Sequence, residues 1–108
     1  MSQLIYKLCI KPKRGAKKRL LISASKTLSD LDSKIRNAMG YDSWDHLSGF
    51  YEGTPFHSNE IATISPDGCG DNSKTALEHL NLQSGDEFGY VYDFGDCVES
   101  MIFVDEIS

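Results

Sequence analysis

Apolar and polar residues alternate at the start of the chain, which is the period of a β-strand. Residues 4–11 carry apolar side chains at every second position, at Leu4, Tyr6, Leu8 and Ile10. Such a segment predicts an antiparallel strand with one apolar face. Residues 12–17 contain Gly15 and predict a turn, and residues 18–23 predict a second strand. The chain is therefore expected to begin with a β-hairpin.

The hydrophobic spacing then changes to that of a helix. Apolar side chains recur on one helical stripe, at Leu28, Leu31, Ile35 and Ala38. Thr27 is a suitable N-cap, and Asp30 three positions later completes a variant of the capping box. Gly40 is a suitable left-handed C-cap. These signals predict the one main helix of the chain.

Strand signals dominate the rest of the chain. Residues 42–46 predict a turn or a single helical turn, and residues 47–51 and 60–64 predict two short strands. Thr75 and Glu78 have the spacing of a second capping box, which would open a short helix.

The last third of the chain predicts a long hairpin. Alternate positions of its first strand carry aromatic side chains, at Phe88, Tyr90 and Tyr92. Residues 93–96 predict the connecting turn, in which Gly95 would supply a positive φ. Residues 97–107 return as a strand whose unbroken apolar stretch indicates burial on both faces, and hence a central position in the sheet.

Together these elements predict a single compact α+β domain over residues 1–108. Its sheet would be mixed but mostly antiparallel, with the main helix packed on it, in an arrangement similar to a β-grasp. The length of 108 residues suits one small domain.

No apolar run approaches the roughly 20 residues that cross a membrane. The N-terminus lacks the pattern of a secretory signal. The sequence therefore predicts a cytoplasmic protein without membrane contact.

Charge is distributed unevenly along the chain. The net charge is −5, but ten of the eleven Lys and Arg residues lie in residues 1–36, where only two acids oppose them. Residues 37–108 carry fourteen acids and a single base, Lys74. A partner of either sign could therefore find a complementary surface.

The densest basic stretch covers the first predicted hairpin. It consists of Lys11, Lys13, Arg14, Lys17, Lys18 and Arg19, together with Lys7. These side chains could neutralise the phosphates of a nucleic acid or meet an acidic partner. The alternative is a solvated hairpin whose charge is offset by the acidic remainder of the chain, which would also repel a polyanion.

The cysteines and histidines do not follow the spacing of a known site. The chain has three cysteines, Cys9, Cys69 and Cys97, and no C-x-x-C pair. An odd number of cysteines without that spacing favours free thiols. A zinc site could in principle be assembled from His46, His57, Cys69 and His79. Their spacing does not match that of a known zinc site. The sequence motifs of catalytic nucleophiles and of phosphate-binding loops are absent as well. The sequence therefore indicates no enzyme, no metal and no cofactor.

Two stretches carry recognisable motifs. Residues 27–50 contain the pattern T-L-x-D-L…I…A…G-Y-D…H-L-x-x-F, and residues 85–96 contain G-D-x-F-x-Y-x-Y-D-F-G-D. Together they resemble the plasmid pRiA4b ORF-3-like family, which also occurs as passengers of insertion sequences. The resemblance implies the family's fold and a plasmid, phage or transposon setting, but the family's own biochemical role is poorly defined.

The chain departs from the family pattern at four positions. Val98 and Ser100 stand where members usually carry a Trp and a His after the last Asp of the second motif. Asp32 stands in place of a helical His, and Tyr41 in place of a Trp. The departures argue against chemistry inherited through those side chains.

The matched histidine suggests a candidate pocket. The aromatic residues that could line it with His46 are Trp44, Phe50, Tyr90 and Tyr92. Asp93 and Asp96 flank the predicted turn and could offer two carboxylates to a cation or to acid–base chemistry. The alternative is that the carboxylates only begin and end the turn and that the rings are ordinary half-buried packing.

These observations favour a non-enzymatic interaction module that acts through protein contacts. Its acidic surface could inhibit a host or defence protein by meeting a basic partner. A second reading is a weak nucleic-acid-binding protein that uses the basic hairpin. A third is a small metal-dependent enzyme centred on His46 and the turn at residues 93–96.

Overall fold

A computed structural model describes residues 4–41 and 46–108 of the chain. Trp44 and most of the predicted turn at residues 42–46 lie outside these described residues. The elements are β1 (Ile5–Pro12), β2 (Lys18–Ser23), α1 (Leu28–Met39), β3 (Ser48–Tyr51), β4 (Glu60–Ile64), a short 3-10 helix (Leu77–Leu80), β5 (Glu87–Tyr92) and β6 (Val98–Ile107).

The six strands form one sheet in the order β2-β1-β6-β5-β3-β4. Three hairpins, β1–β2, β3–β4 and β5–β6, lie side by side, and every strand pair is antiparallel. The prediction of an α+β domain is confirmed, whereas the prediction of a mixed sheet is wrong. A parallel pair needs a crossover that returns the chain beside the strand it left. Helix α1 instead connects β2 to β3, which is not its neighbour, and the finer likeness to a β-grasp is not confirmed.

Helix α1 begins and ends at the predicted residues. The Thr27 Oγ1 accepts a hydrogen bond from the Asp30 backbone N–H at 3.1 Å, and the Thr27 N–H donates to the Asp30 carboxylate at 2.9 Å. Gly40 ends the helix with a φ of 74°, in the left-handed region. Both predicted caps are confirmed, and they satisfy backbone groups that the helix itself leaves without partners.

The main core lies between α1 and one face of the sheet. Its fully or almost fully buried side chains include Leu8, Leu28, Ile35, Phe50, Tyr90 and Ile102. Complete burial of such an aliphatic or aromatic side chain contributes roughly 1.5–3 kcal/mol to the free energy of unfolding. This face therefore holds the helix to the sheet.

The opposite face of the sheet is only partly covered. The loop after β3 crosses β5 so closely that a Cβ at Gly89 would lie 2.3 Å from the Gly53 carbonyl oxygen. Strand β6 is central, as predicted, but its expected burial on both faces is not found. Met101 and Phe103 are half-buried on this open side, because the loop reaches only part of the face.

Two local predictions were wrong for identifiable reasons. Gly95 does not take a positive φ; Asp93 does, at 63°, and Cys97 does, at 53°. The Asp93 side chain accepts the Gly95 N–H at 3.0 Å, and Asp tolerates this conformation when it bonds locally. Thr75 does not cap the short helix, because the helix starts one residue later than predicted and has Ala76 at its N-cap position.

No helix in residues 4–41 or 46–108 combines the length and apolar character needed to cross a membrane.

The two threonines give a matched test of capping. Thr27→Ala removes the acceptor for the first turn of α1, and we expect the free energy of unfolding to fall by about 1 kcal/mol. Thr75→Ala is the control, because no side chain caps the 3-10 helix, and we expect a change within about 0.5 kcal/mol. Urea denaturation measures both values. Equal losses would contradict the assignment of the helix start.

Candidate functional site

A buried polar cluster joins α1 to the sheet. Asp32 is 3% exposed, and its Oδ1 accepts hydrogen bonds from the Ser48 and Tyr90 hydroxyls, each at 2.6 Å. The Arg36 Nε lies 3.0 Å from the Asp32 Oδ2 as an ion pair, although its N–H is not aligned for a hydrogen bond. The Arg36 Nη2 donates to the Ser48 hydroxyl at 2.8 Å and to the His46 carbonyl at 2.9 Å. One carboxylate thus organises groups from α1, β3 and β5.

Tyr90 takes part in this cluster as a neutral donor. Burial disfavours its phenolate, and the Asp32 carboxylate adds repulsion, so the pKa of Tyr90 is raised well above its usual value near 10. A tyrosine that stays protonated remains a hydrogen-bond donor to the Asp32 carboxylate. The arrangement therefore stabilises the helix–sheet contact rather than supplying a readily ionised group.

An aromatic layer lies next to the buried cluster, around Tyr92. Its ring stacks on Tyr41 with centroids 4.5 Å apart, and the Arg36 guanidinium lies 5.0 Å from its centroid. His46 meets the same ring edge-on at 6.0 Å, and its Nδ1 lies 3.4 Å from the Asp93 Oδ1. Because Tyr92 is only 6% exposed, these contacts leave little of the ring for a ligand.

The structure brings together four of the five residues of the candidate pocket. His46, Tyr92 and Asp93 touch directly, and Tyr90 is linked to them through Asp32 and Arg36. Tight packing among them supports a structural role, and a ligand role for these residues stays a prediction.

Asp96 lies apart from that group. It is exposed and lines a groove of about 440 Å³ with Lys13 and Arg14 of the basic hairpin. Asp93 meanwhile uses its Oδ1 to hold the Gly95 N–H at 3.0 Å. The carboxylates of Asp93 and Asp96 therefore lie in different surroundings. This supports the alternative in which they only begin and end the turn.

The cysteines and histidines show no metal centre. Within residues 4–41 and 46–108, no group of three or more His, Cys, Asp and Glu side chains is placed to hold a metal ion. Cys9 is buried, while Cys69 and Cys97 are exposed free thiols.

The basic hairpin is exposed but partly neutralised. Its six candidate side chains, Lys11, Lys13, Arg14, Lys17, Lys18 and Arg19, are all exposed. Lys13 lies 3.8 Å from Glu99 and Arg19 lies 3.7 Å from Asp105, both on β6. Neighbouring carboxylates would therefore oppose a polyanion laid along this part of the sheet.

A groove of about 630 Å³ collects acidic side chains that the sequence scatters widely. We call it the acidic groove. Its lining includes His79 and four exposed acidic residues that we call the rim, Glu52, Glu60, Asp86 and Glu87. Its apolar lining consists of Ile61, Leu80, Leu82 and Phe88. Within the described residues, none of the four carboxylates forms an ion pair.

Sequence reasoning missed both the buried cluster and the acidic groove. A signal for the first was available, because Asp32 lies one turn after Leu28 on the apolar stripe and has Arg36 one turn further on. The groove had no local signal, since its acids come from the end of β3 and the starts of β4 and β5. Only the overall acidity of residues 37–108 pointed towards it.

Fold and site define an antiparallel α+β protein whose centre is closed by packed polar and aromatic side chains and whose charged surfaces lie at its periphery. The chain belongs to the plasmid pRiA4b ORF-3-like protein family, whose model matches residues 9–108. This confirms the resemblance read from the two motifs.

A solved structure shares the fold. It is a protein of unknown function, MM3350, from Methanosarcina mazei Go1, with a TM-score of 0.75 and 22% sequence identity. The alignment covers 99% of this chain and 62% of that one. A search of curated proteins gave no match.

The Asp32–Arg36 pair can be tested by removing one charge. Asp32→Asn leaves the Arg36 guanidinium, whose side chain is 12% exposed, without its counter-charge. We expect the free energy of unfolding to fall by about 3 kcal/mol. Asp105→Asn makes the same chemical change in the exposed pair with Arg19 and should cost less than about 0.5 kcal/mol. Comparable losses in urea denaturation would show that the buried pair has no special role.

Tyr90 gives the fold a dependence on alkaline pH. Because its folded-state pKa is raised above the unfolded value near 10, the stability it contributes is complete below about pH 9 and is lost as the pH rises further. Tyr90→Phe should cost roughly 1–2 kcal/mol at neutral pH. The difference between the two proteins should narrow above about pH 10, as measured by urea midpoints. A constant difference would contradict this role, since the other tyrosines titrate equally in both.

Proposed function

We propose that this chain is a non-enzymatic interaction module of a mobile-element family, that it works in the cytoplasm through protein contacts, and that the acidic groove is its docking surface. The partner is a basic polypeptide segment that also presents an apolar side chain. Inhibition of a host or defence protein would be one use of such a contact.

The observation that carries the proposal is the combination of an apolar lining with carboxylates that accept neutral hydrogen bonds, from Asn59, Thr63 and the Gln83 N–H, but have no ion-pair partner among the described residues. Glu52, Glu60, Asp86 and Glu87 lie around one groove without a cation from the described residues. Like charges gathered at one place raise the local negative potential. A bound lysine or arginine would relieve that repulsion while gaining Coulomb attraction.

The apolar lining of the acidic groove determines which kind of cationic partner fits it. Ile61, Leu80 and Leu82 are half-buried, so a partner side chain placed on them would remove further apolar surface from water. A free inorganic cation cannot use that surface, and a nucleic acid has the same sign as the rim. A basic peptide with a leucine or similar anchor fits both the rim and the lining.

The proposal can be tested with a synthetic peptide that alternates Lys and Leu. We expect the double variant Glu52→Gln and Glu87→Gln to weaken peptide binding at least about tenfold, because two rim charges are removed. Glu78→Gln with Glu106→Gln is the matched control, since both are exposed acids that do not line the groove. Isothermal titration calorimetry at two salt concentrations measures the affinities.

Equal weakening in the control would show general charge attraction and would overturn the groove as docking surface. Retention on duplex DNA that is lost in Lys17→Glu with Lys18→Glu would favour the nucleic-acid alternative instead. The exposure of Lys17 and Lys18 supports that alternative, whereas the β6 carboxylates beside Lys13 and Arg19 oppose it. The metal-enzyme alternative gains no support from Asp93, whose Oδ1 holds the turn.

A further inference from the structure

The two edges of the sheet differ in how their backbone groups are covered. At the β4 edge, the Thr63 N–H donates to the Asp71 carbonyl at 3.0 Å, and the Asn72 side chain donates to the Ile61 carbonyl at 2.9 Å. Gly70 approaches so closely that a Cβ there would lie 2.1 Å from the Thr63 oxygen. The chain thus closes this edge with its own loop.

The direction of the backbone groups at the β2 edge follows from the pairing of β1. Ile5 exchanges both of its hydrogen bonds with Ser108, on the β6 side. Successive residues of a strand point their N–H and C=O groups to opposite sides. Tyr6 and Leu8 therefore face β2, where they pair with Ile22 and Leu20. The intervening β2 residues, Arg19 and Leu21, must direct their backbone groups outward.

These outward groups have no partner in the part of the chain that the structure describes. Among residues 4–41 and 46–108, no backbone hydrogen bond reaches the N–H or C=O of Arg19 or Leu21 from that side. The side chains beside them are open as well, since Leu21 is 59% exposed and the Arg19 side chain is 61% exposed. An uncovered strand of this length is a template for a further strand.

We propose that β2 binds an extended, acidic segment of a partner protein as a seventh strand of the sheet. Charge complementarity selects the segment. Lys17, Lys18 and Arg19 are exposed at one end of the edge, and among them only Arg19 has a carboxylate nearby, Asp105 at 3.7 Å. Acidic residues placed opposite these cations gain Coulomb attraction, and a second copy of β2 cannot supply it because the strand contains no acid.

The order of residues along β2 defines the partner further. Its basic end is followed by Leu20, Leu21 and Ile22. Cross-strand neighbours interact in pairs, so the partner strand carries acids beside the basic end and β-branched or apolar residues beside the leucines. This surface is separate from the acidic groove, and the two proposals can fail independently.

The test uses the complete chain and two synthetic peptides, each joining three glutamates to three β-branched residues, in the two possible orders. We expect one of them to slow amide hydrogen exchange at Arg19 and Leu21 at least about tenfold, because those amides gain partners. Leu21→Pro removes an outward N–H and spares the ladder to β1, so binding should fall at least about tenfold. Leu21→Ala keeps the outward N–H and loses only the side-chain contact, so its loss of binding should be clearly smaller than that of Leu21→Pro.

Several outcomes would overturn the proposal. Equal affinity of Leu21→Pro and the original protein would show that the peptide does not pair with the edge. Unchanged exchange at Arg19 and Leu21 with saturating peptide would show the same without any variant, so the test survives if Leu21→Pro does not fold. Displacement of the peptide by duplex DNA, together with unprotected amides, would assign the basic hairpin to nucleic acid instead.

Discussion

The pairing of β1 with β6 determines the rest of the architecture. These strands come from opposite ends of the chain, and their antiparallel ladder runs from Tyr6 with Ile107 to Pro12 with Ser100. It joins the first hairpin to the last one and gives both strands a neighbour on each side. Together with the pairing of β3 to β5 on the other side, it leaves β2 and β4 as the two edges. Seven of the eleven Lys and Arg residues thereby lie in the hairpin at one edge, next to the carboxylates of Glu99 and Asp105 on β6.

The caps of helix α1 depend on neighbouring residues and were predictable from the sequence, whereas pairings between distant strands were not. The capping box of Thr27 and Asp30 and the left-handed Gly40 are local, and both were found where the sequence placed them. The antiparallel direction of β1 against β6 is set by contacts across almost the whole chain, so a pattern of period two could not reveal it.

The same distinction applies to the candidate site. Tyr92 and Asp93 of the second motif both contact His46. The sequence pattern does not reveal that the Arg36 guanidinium occupies the space beside Tyr92, where the pocket is predicted. The positive φ of Asp93 also depends on a contact that the sequence pattern does not reveal. The Asp93 side chain accepts the Gly95 N–H, and this local hydrogen bond makes the left-handed conformation tolerable. Side chains that satisfy each other leave fewer groups for a ligand.

The closed centre and the open periphery have different physical consequences for binding. The Asp32–Arg36 cluster is shielded from solvent, so salt screens it little, whereas charges at the groove rim and along β2 are screened beyond about 8 Å at physiological ionic strength. Charge alone then guides a partner towards the surface without distinguishing it from others of the same sign. Discrimination must come from groups that act at contact distance. In the acidic groove these are Ile61, Leu80 and Leu82, and at the β2 edge they are Leu21 and the outward backbone groups beside it.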